Sequence, residues 1–396
     1  MPTKTTTPRW LTILLWSFAA AAILLWLLSL TVSRPTLFPA GPTYEDIIVY
    51  KGRFTLYHTA KFFTSRAYSA FAYPAGSAPI YEAFYSTSSP LNTYIYVSYG
   101  AILAGLFAAL AFLRKQNAAS FFFPLLFLSF PMIFLVQRAN IEIVLWVLVA
   151  VGLVLYRRGW AIPAAMVFGI VAATKLYPIL LLGLFLKRKR DLPAFVIGIL
   201  SAMVAMAAAI AYTGPTFLIA AKGFFTGVNR FQDHYVDVVS KVEVMFDHCL
   251  FSPFKYYAYS HHISPAPWKS LYFRIAAALA LVLFLRVRTM PFLNRVLFLV
   301  TAMVCLPPVS FTYTLVHLYV PLLFLLAAVA GFRSNPPVTA IFALMLLCFV
   351  MLPLMGLSAL SPTLPTGPMQ SIALLCVLLL CAMQPWPEAS IAADTV

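Results

Sequence analysis

The chain alternates between apolar blocks and short polar interruptions. Several blocks reach the roughly 20 residues that a helix needs to cross the hydrocarbon core of a bilayer. Twelve blocks can be delimited, at 10–32, 92–113, 119–136, 141–156, 161–174, 176–186, 193–212, 271–285, 292–306, 315–330, 338–356 and 369–383. This pattern predicts an all-α, polytopic membrane bundle of about 12 transmembrane helices, forming a single domain over residues 1–396.

The region 161–186 can be read in two ways, as one long span or as two short helices. Lys175 and Pro178 favour a break, because proline removes a helical hydrogen bond and a lysine at mid-membrane is costly. We expect two short helices that meet at Lys175 and bring this residue to the outer surface.

The basic residues predict the orientation of the helices, since short cytoplasmic segments are enriched in Lys and Arg. With the N-terminus inside, the short inner segments hold 14 of the 27 Lys and Arg residues, and the short outer turns hold two. Both termini are then cytoplasmic, and two long loops, 33–91 and 213–270, are extracytoplasmic. All six His and seven of the eleven acidic residues fall on the outer side. We therefore expect an extracytoplasmic active site on a multi-pass protein of the cell (inner or plasma) membrane.

Composition narrows the class further. The chain is 62% apolar and 10% charged, whereas soluble domains carry roughly a quarter charged residues. Its net charge of +16 would suit nucleic acid, but the basic residues lie at the ends of apolar blocks, where they set topology and contact lipid phosphates. We predict membrane lipids and no nucleic acid as partners. The five Cys show neither a disulfide framework nor metal-ligand spacing, and no Gly-rich phosphate loop is present, so no metal or other cofactor is expected.

The candidate catalytic residue is Asp46, at the start of the first outer loop. A carboxylate there could accept the proton of an incoming hydroxyl group as that group attacks a sugar carbon. Neighbouring residues usually point in different directions, so one of Glu45 and Asp46 should face the cavity, and we favour Asp46. The alternative is a solvated loop carboxylate paired with Lys51 or Arg53.

Several polar residues near the outer surface could bind a phosphate group. Lys175 could neutralise a departing phosphate, or it could extend its ammonium group to the membrane surface. Arg138 and Asn140 begin the fourth block. A guanidinium group matches phosphate geometry, although an interfacial anchor followed by a helix cap would give the same pattern.

Two histidines are further candidates. His317 lies one turn inside an apolar block, where an ionisable residue is functional by default; the alternative is a hydrogen bond to a neighbouring helix. His248 could contribute to binding or be a capped loop histidine. Its spacing to other His and Asp residues matches no zinc motif.

Five stretches, taken in order along the chain, resemble one family of membrane enzymes. They are Asp46 followed by Val49-Tyr50, Phe71-Ala72-Tyr73-Pro74-Ala75 (Tyr-Pro-Pro in the family), Asn140-Ile141-Glu142 (Asn-Ile-Asn), Ala172-Ala173-Thr174-Lys175-Leu176-Tyr177-Pro178, and Pro307-Pro308-Val309-Ser310-Phe311 with His317 (Pro-x-Ser-Trp…His). The family is glycosyltransferase family 87, the polyprenol-phosphate-mannose-dependent mannosyltransferases of the GT-C class.

The resemblance implies a GT-C-like fold and an inverting, extracytoplasmic transfer of a sugar from a polyprenyl-phosphate donor, without a nucleotide. Mannose would be the sugar, and the acceptor would be a hydroxyl group of a lipid or glycan. Asp46 matches the family's catalytic acid, and Lys175 and His317 match positions that line the donor-phosphate site. The predicted set of donor-phosphate and substrate-binding residues is Glu45, Arg138, Asn140, Lys175, Tyr177, His248 and His317. Departures from the family pattern at Ala75, Glu142 and Phe311 leave the identities of the sugar and the acceptor open.

A transporter or flippase for a lipid-linked sugar is the alternative function. It predicts polar residues at mid-membrane depth in corresponding places of two repeats. The sequence shows no convincing repeat, and its polar residues crowd one face, which favours the transferase.

Overall fold

The computed structural model describes residues 9–31, 44–65, 71, 73–113, 122–237, 239, 241–329, 336–350 and 366–383. Over these residues the fold is all-helical, as predicted, and the one β interaction is an isolated bridge between Asp247 and Phe311. The α-helices are α1 (Arg9–Thr31), α2 (Glu45–Phe54), α3 (Ala78–Tyr85), α4 (Pro90–Phe112), α5 (Phe122–Leu128), α6 (Phe130–Arg138), α7 (Glu142–Arg157), α8 (Ala161–Thr174), α9 (Leu192–Thr213), α10 (Phe217–Tyr235), α11 (Lys241–Phe246), α12 (Ser252–Ser260), α13 (Ala266–Val287), α14 (Phe292–Cys305), α15 (Tyr319–Val329), α16 (Pro336–Val350) and α17 (Thr366–Ala382). Shorter 3₁₀ segments occupy Ala75–Ser77, Tyr177–Leu186, Lys189–Asp191 and Thr312–Leu318.

Three of the described helices are long and apolar enough to cross a membrane. They run over Pro90–Phe112, Lys189–Thr213 and Ala266–Val287, and seven shorter apolar helices accompany them. These helices indicate a membrane protein. The predicted count of about 12 spans and their orientation stay predictions. Parts of that prediction lie outside the described residues, namely 32–43, 114–121, 330–335 and 351–365, together with both chain ends.

The break predicted at Lys175 is confirmed. Helix α8 ends at Thr174, Lys175 has an extended backbone (φ −143°, ψ 132°), and the 3₁₀ segment Tyr177–Leu186 follows. Pro178 lies at the start of this segment. Because proline has no backbone N–H, it cannot donate the hydrogen bond that would continue the α-helix. The chain therefore changes direction beside Lys175, and irregular backbone inside a membrane protein is tolerated where it lines protein or a cavity.

The single helix predicted over 119–136 is wrong in its continuity. Helices α5 and α6 are separated at Ser129, whose backbone is extended (φ −73°, ψ 138°). Pro131 is the second residue of α6, and it cannot donate the hydrogen bond that a helix continuing from α5 would need. The hydroxyl group of Ser129 instead forms a short hydrogen bond with that of Tyr319.

The two long loops contain helices of their own. The first includes α2 and α3, and the second includes α10, α11 and α12. Helices α4 and α13 begin at Pro90 and Ala266, a few residues before the predicted ends of the loops. Both loops therefore present ordered secondary structure to the site described below.

Close backbone contacts fix α8 against its neighbours. A Cβ atom added to Gly169 in α8 would lie 2.3 Å from the carbonyl oxygen of Gly198 in α9. A Cβ atom on Gly76 would lie 2.3 Å from the carbonyl oxygen of Ala173. Small residues allow helices to approach this closely. The contact at Gly76 presses the segment after Tyr73 against the end of α8, two residues before Lys175.

Aromatic side chains form the core of the first long loop. Tyr50 contacts Phe71, Tyr73 and Tyr81 in edge-to-face geometry, with ring centroids 5.4 to 5.8 Å apart. Such pairs contribute about 0.5–1.5 kcal/mol each beyond the apolar area that they bury. This cluster holds α2 and Tyr73 in a fixed relation to each other.

Candidate functional site

Glu45 and Asp46 occupy the first turn of α2, and the backbone places this turn beside the end of α6. Tyr44 precedes the helix in the left-handed region (φ 64°, ψ 32°), and its N–H donates to the carbonyl oxygen of Gln137 at 2.6 Å. Carboxylates are favoured at a helix N-terminus, where unpaired N–H groups carry partial positive charge. The arrangement brings both acids to Arg138, the last residue of α6.

Arg138 and Asn140 reach the site because the residue between them has an unusual conformation. Ala139 ends α6 in the left-handed region (φ 53°, ψ 44°), which is uncommon for a residue with a Cβ atom. Arg138 then donates to both acids: one nitrogen forms a short bond to Glu45, and Nη2 lies 3.1 Å from Oδ1 of Asp46. One guanidinium group therefore orients both carboxylates.

Asp46 is buried, with 7% of its surface exposed, and it is fully hydrogen-bonded. In addition to Arg138, its Oδ2 accepts from Nδ2 of Asn140 at 2.6 Å and from the hydroxyl group of Tyr73 at 2.9 Å. The alternative of a solvated loop carboxylate paired with Lys51 or Arg53 is wrong, because Asp46 is buried and its described ion pair is with Arg138. Arg53 donates to the carbonyl oxygens of Phe62 and Ser65.

Burial raises the pKa of Asp46 to about 6, whereas Tyr73, Lys175 and Asn140 favour the ionised form. Removing a carboxylate from water destabilises its ionised form, and hydrogen-bond donors and nearby cations stabilise that form again in part. A carboxyl group with this pKa is ionised at neutral pH and still basic enough to accept a proton. These are the properties that a general base needs.

The side-chain amide of Asn140 connects Asp46 to a second set of polar residues. Its Nδ2 donates to Asp46, and its Oδ1 accepts from Nζ of Lys175 at 3.1 Å and from the backbone N–H of Glu142 at 3.0 Å. The N-cap of α7 is Ile141, so Asn140 lies one residue before the position that the helix-cap alternative predicted. Its side chain nevertheless contacts both the first residue of α7 and the site.

Glu142 lies at the centre of the second set. Its carboxylate is fully buried and accepts short hydrogen bonds from Lys175 and Tyr177. The same carboxylate is 2.5 Å from Nε2 of His317. Helix α7, the break after α8 and two 3₁₀ segments, Tyr177–Leu186 and Thr312–Leu318, therefore meet at this one side chain.

Lys175 is buried, with 6% of its surface exposed, so the alternative in which it extends to the membrane surface is wrong. Its ammonium group lies 5.0 Å from the ring centroids of both Tyr73 and Tyr313. A cation at this distance from an aromatic ring is stabilised by the ring's negative face. Two tyrosines, one from the first long loop and one from the 3₁₀ segment Thr312–Leu318, thus enclose the cation.

His248 lies in a different polar cluster from the other predicted site residues. Its Nε2 is 3.3 Å from the hydroxyl group of Ser310 and 3.2 Å from that of Thr314. Burial lowers its pKa to about 4, so it is neutral at physiological pH. These contacts match the structural alternative, and a substrate-binding function for His248 stays a prediction.

A buried ion pair holds the loop that carries His248. Nζ of Lys255 lies 2.6 Å from Oδ2 of Asp247, and both side chains are 1% exposed. Oδ1 of Asp247 accepts from the backbone N–H of Ser310 at 2.9 Å. This network joins the second long loop to the turn that leads to Tyr313 and His317.

An apolar groove of about 380 Å³ lies beside the polar residues. It is bounded by α8, α9 and the start of α3, and it reaches Thr174, the residue before Lys175. Its lining consists of Gly76, Pro79, Ile170, Ala173, Thr174, Ala205, Ala208, Ala209 and Tyr212.

Sequence reasoning assigned no function to Tyr73, Tyr313 or Glu142. For Glu142 a signal was present: an acid near a membrane-embedded helix is costly unless a cation pairs with it, and Lys175 was the other isolated charge in an apolar region. Tyr73 lies in a stretch that resembles the family, but nothing in the sequence pointed to its contact with Asp46. Tyr313 carried no signal, because aromatic residues near the ends of apolar blocks usually form an interfacial belt.

Seven of the predicted site residues therefore form one connected cluster, Glu45, Asp46, Arg138, Asn140, Lys175, Tyr177 and His317. In this cluster the side-chain amide of Asn140 contacts a carboxylate, Asp46, at one end and a cation, Lys175, at the other. Among the described residues there is no group of three or more His, Cys, Asp or Glu side chains that could hold a metal ion.

The model of glycosyltransferase family 87 matches residues 71–307, more than half of the chain. This range includes Tyr73, Arg138, Asn140 and Lys175, whereas Asp46 precedes it and His317 follows it. No curated protein matches the chain.

Proposed function

The chain belongs to glycosyltransferase family 87, and on this premise we propose that it transfers a sugar from a polyprenyl-phosphate donor to a hydroxyl group of a lipid or glycan acceptor. Mannose is the first candidate for the sugar, as the resemblance in the sequence implies. The reaction takes place at the outer face of the cell membrane. The chain acts as a single membrane domain with both termini in the cytoplasm.

One observation carries the proposal: Asp46 and Lys175 are hydrogen-bonded to opposite ends of the Asn140 side chain. The acceptor hydroxyl attacks the anomeric carbon, and its proton passes to the Asp46 carboxylate. The bond between that carbon and the phosphate oxygen breaks, and polyprenyl phosphate leaves with the electron pair. A single in-line displacement of this kind inverts the anomeric configuration.

Cations and donors near Lys175 are suited to the departing phosphate. Among the described contacts, Lys175 uses two of its three N–H groups, on Asn140 and Glu142, which leaves the third for a phosphate oxygen. Nδ1 of His317 is buried and has no hydrogen-bond partner among the described residues. Fixed donors at the point where charge develops contribute most when water is excluded. Arg138, held by the two acids, would orient the base and border the phosphate.

The apolar groove supports a donor with a lipid tail. It ends at Thr174 and is lined mainly by small apolar side chains, so a polyprenyl chain lying in it would deliver its phosphate to Lys175. A soluble nucleotide-sugar donor would have no use for such a surface beside the cation.

A transfer assay tests the function. The purified protein is incubated with radiolabelled polyprenyl-phosphate mannose and total membrane lipids, with the corresponding glucose donor and GDP-mannose in parallel. We expect labelled product from a polyprenyl-phosphate donor, none from GDP-mannose, and a product anomer opposite to that of the donor. Absence of transfer from every polyprenyl-phosphate sugar would overturn the proposal. Movement of the intact donor across vesicles without transfer would favour the flippase.

A further inference from the structure

Glu142 is a fully buried carboxylate for which the proposed reaction has no direct use. It is bonded to an ammonium, a phenol and an imidazole, from Lys175, Tyr177 and His317. Two of these three groups are the ones proposed to meet the donor's phosphate. A buried charge with this many donors is held in one position, and its field acts on whatever binds beside it.

The charges of the cluster do not favour tight binding of an anion. Its carboxylates are Glu45, Asp46 and Glu142, and its permanent cations are Arg138 and Lys175. Arg138 is taken up by the first two acids, and Lys175 is paired with Glu142. The phosphate therefore meets a cation that already has a counter-charge.

We propose that Glu142 is a positioning residue that also sets the charge of the phosphate site. It holds Lys175 and His317 in place, and its negative charge weakens their hold on polyprenyl phosphate, so that the product leaves after transfer. This inference rests on the proposed function. Removing the charge while keeping the shape should strengthen phosphate binding, which the loss of a purely structural residue would not do.

The effect should scale with the charge of the ligand. The donor is a phosphodiester with one negative charge, whereas the product phosphate carries about −1.5 to −2 at pH 7. Coulomb energy is linear in ligand charge. The factor by which a neutral variant tightens binding of a dianion should therefore approach the square of the factor for a monoanion. Product release is then more sensitive to Glu142 than donor binding is.

Binding of three short probes to the purified protein measures this scaling without turnover. The probes are farnesol, farnesyl methyl phosphate and farnesyl phosphate, with charges of about 0, −1 and −2. For Glu142→Gln relative to wild type we expect an unchanged Kd for farnesol. We expect Kd to fall roughly fivefold for the diester and roughly 25-fold for farnesyl phosphate, as a screened like charge of this kind implies.

Three variants control the experiment. Glu142→Asp keeps the charge and should retain wild-type phosphate affinity. Asp247→Asn removes a carboxylate from the comparable buried pair with Lys255 and should leave the affinities for all three probes unchanged. Glu142→Asn is a second neutral variant, smaller than Gln, for use if Glu142→Gln does not fold.

Unchanged or weaker phosphate binding in a folded neutral variant would overturn the inference. So would a change that is equal for farnesol and farnesyl phosphate. These outcomes are distinct from failure of the proposed function, which would appear as a wild-type protein that transfers no sugar from any polyprenyl-phosphate donor.

Discussion

Replacing Tyr73 by Phe keeps the aromatic ring and removes the hydroxyl group, which donates to the Asp46 carboxylate and accepts from the side-chain amide of Asn140. The Tyr73 hydroxyl donates to Oδ2 of Asp46 at 2.9 Å, and Asn140 donates to the same oxygen at 2.6 Å. Because the hydroxyl stabilises the ionised form, its loss should raise the pKa of Asp46. The protonated carboxyl group cannot act as a base, so the variant should lose activity at a higher pH than the wild type does as the pH is lowered.

The size of this effect follows from the energy of the bond. A hydrogen bond to a charged group contributes about 1.5–3 kcal/mol, and 1.36 kcal/mol corresponds to one pKa unit. Asn140 compensates part of the loss, so we expect a rise of about one unit, from about 6 to about 7. At pH 6 the ionised fraction would then fall roughly fivefold, from about one half to about one tenth. At pH 8 it would stay above about nine tenths.

The assay is the pH dependence of kcat/KM for sugar transfer between pH 5 and 8.5. In the wild type, activity should rise through about pH 6 and then level off; in Tyr73→Phe the same rise should be centred near pH 7. Tyr85→Phe is the matched control. Tyr85 belongs to the same aromatic cluster, but its hydroxyl donates to the backbone oxygen of Ile47 at 2.6 Å. Coincident acidic limbs for wild type and Tyr73→Phe, or an equal loss at pH 6 and pH 8, would refute the reasoning.

Two further predictions concern the backbone that positions the site. Gly76→Val should lower both the melting temperature and the transfer rate, because a Cβ atom at residue 76 would lie 2.3 Å from the carbonyl oxygen of Ala173. Gly100→Ala is the control, since a Cβ atom there meets open space. A wild-type transfer rate for Gly76→Val would contradict the contact. Ala139→Gly should keep or raise the melting temperature, since glycine adopts a φ of 53° without the cost that alanine bears. Ala139→Val should lower it by the equivalent of about 1–3 kcal/mol, and the opposite order of the two variants would be inconsistent with the left-handed conformation.

Structural features that depend on short stretches of sequence could be predicted. The all-helical fold followed from the apolar blocks, and the break beside Lys175 followed from a proline and a charge in one short stretch. The helix division at Ser129 was missed, although Pro131 was visible. A proline near a polar residue is compatible with either a kinked or a divided helix, and tertiary contacts such as the one between Ser129 and Tyr319 decide between the two.

The connections of the site could be predicted only in part. Asp46 and Lys175 were identified as charged residues beside or within apolar segments, and a charge that is removed from water needs a partner. Which partner it finds depends on how distant helices meet. Asn140 connects these two residues because Ala139 adopts a left-handed conformation. Alanine as a residue type does not predict this conformation. The position of Tyr73 depends on the packing of Gly76 against α8, and the sequence does not predict this tertiary contact either.

His248 illustrates the opposite outcome. Its residue type and its predicted side of the membrane made it a candidate, without the resemblance to the family that supported His317. The structure gives it hydrogen bonds to Ser310 and Thr314, whereas His317 contacts Glu142. The difference arises from tertiary packing of the second long loop against the segment that contains Ser310 and Thr314, which local sequence does not encode.

The most direct test of the account compares Asp46→Asn with Glu45→Gln in a reconstituted transfer assay. Both acids contact Arg138, but only Asp46 is bonded through Asn140 to the cation proposed to receive the phosphate. We expect Asp46→Asn to lower kcat by about 10²–10⁴-fold, the usual contribution of a general base, with little change in the affinity for the donor. Glu45→Gln should retain more than about a tenth of the wild-type rate. An Asp46→Asn enzyme that transfers sugar at close to the wild-type rate would contradict the central claim.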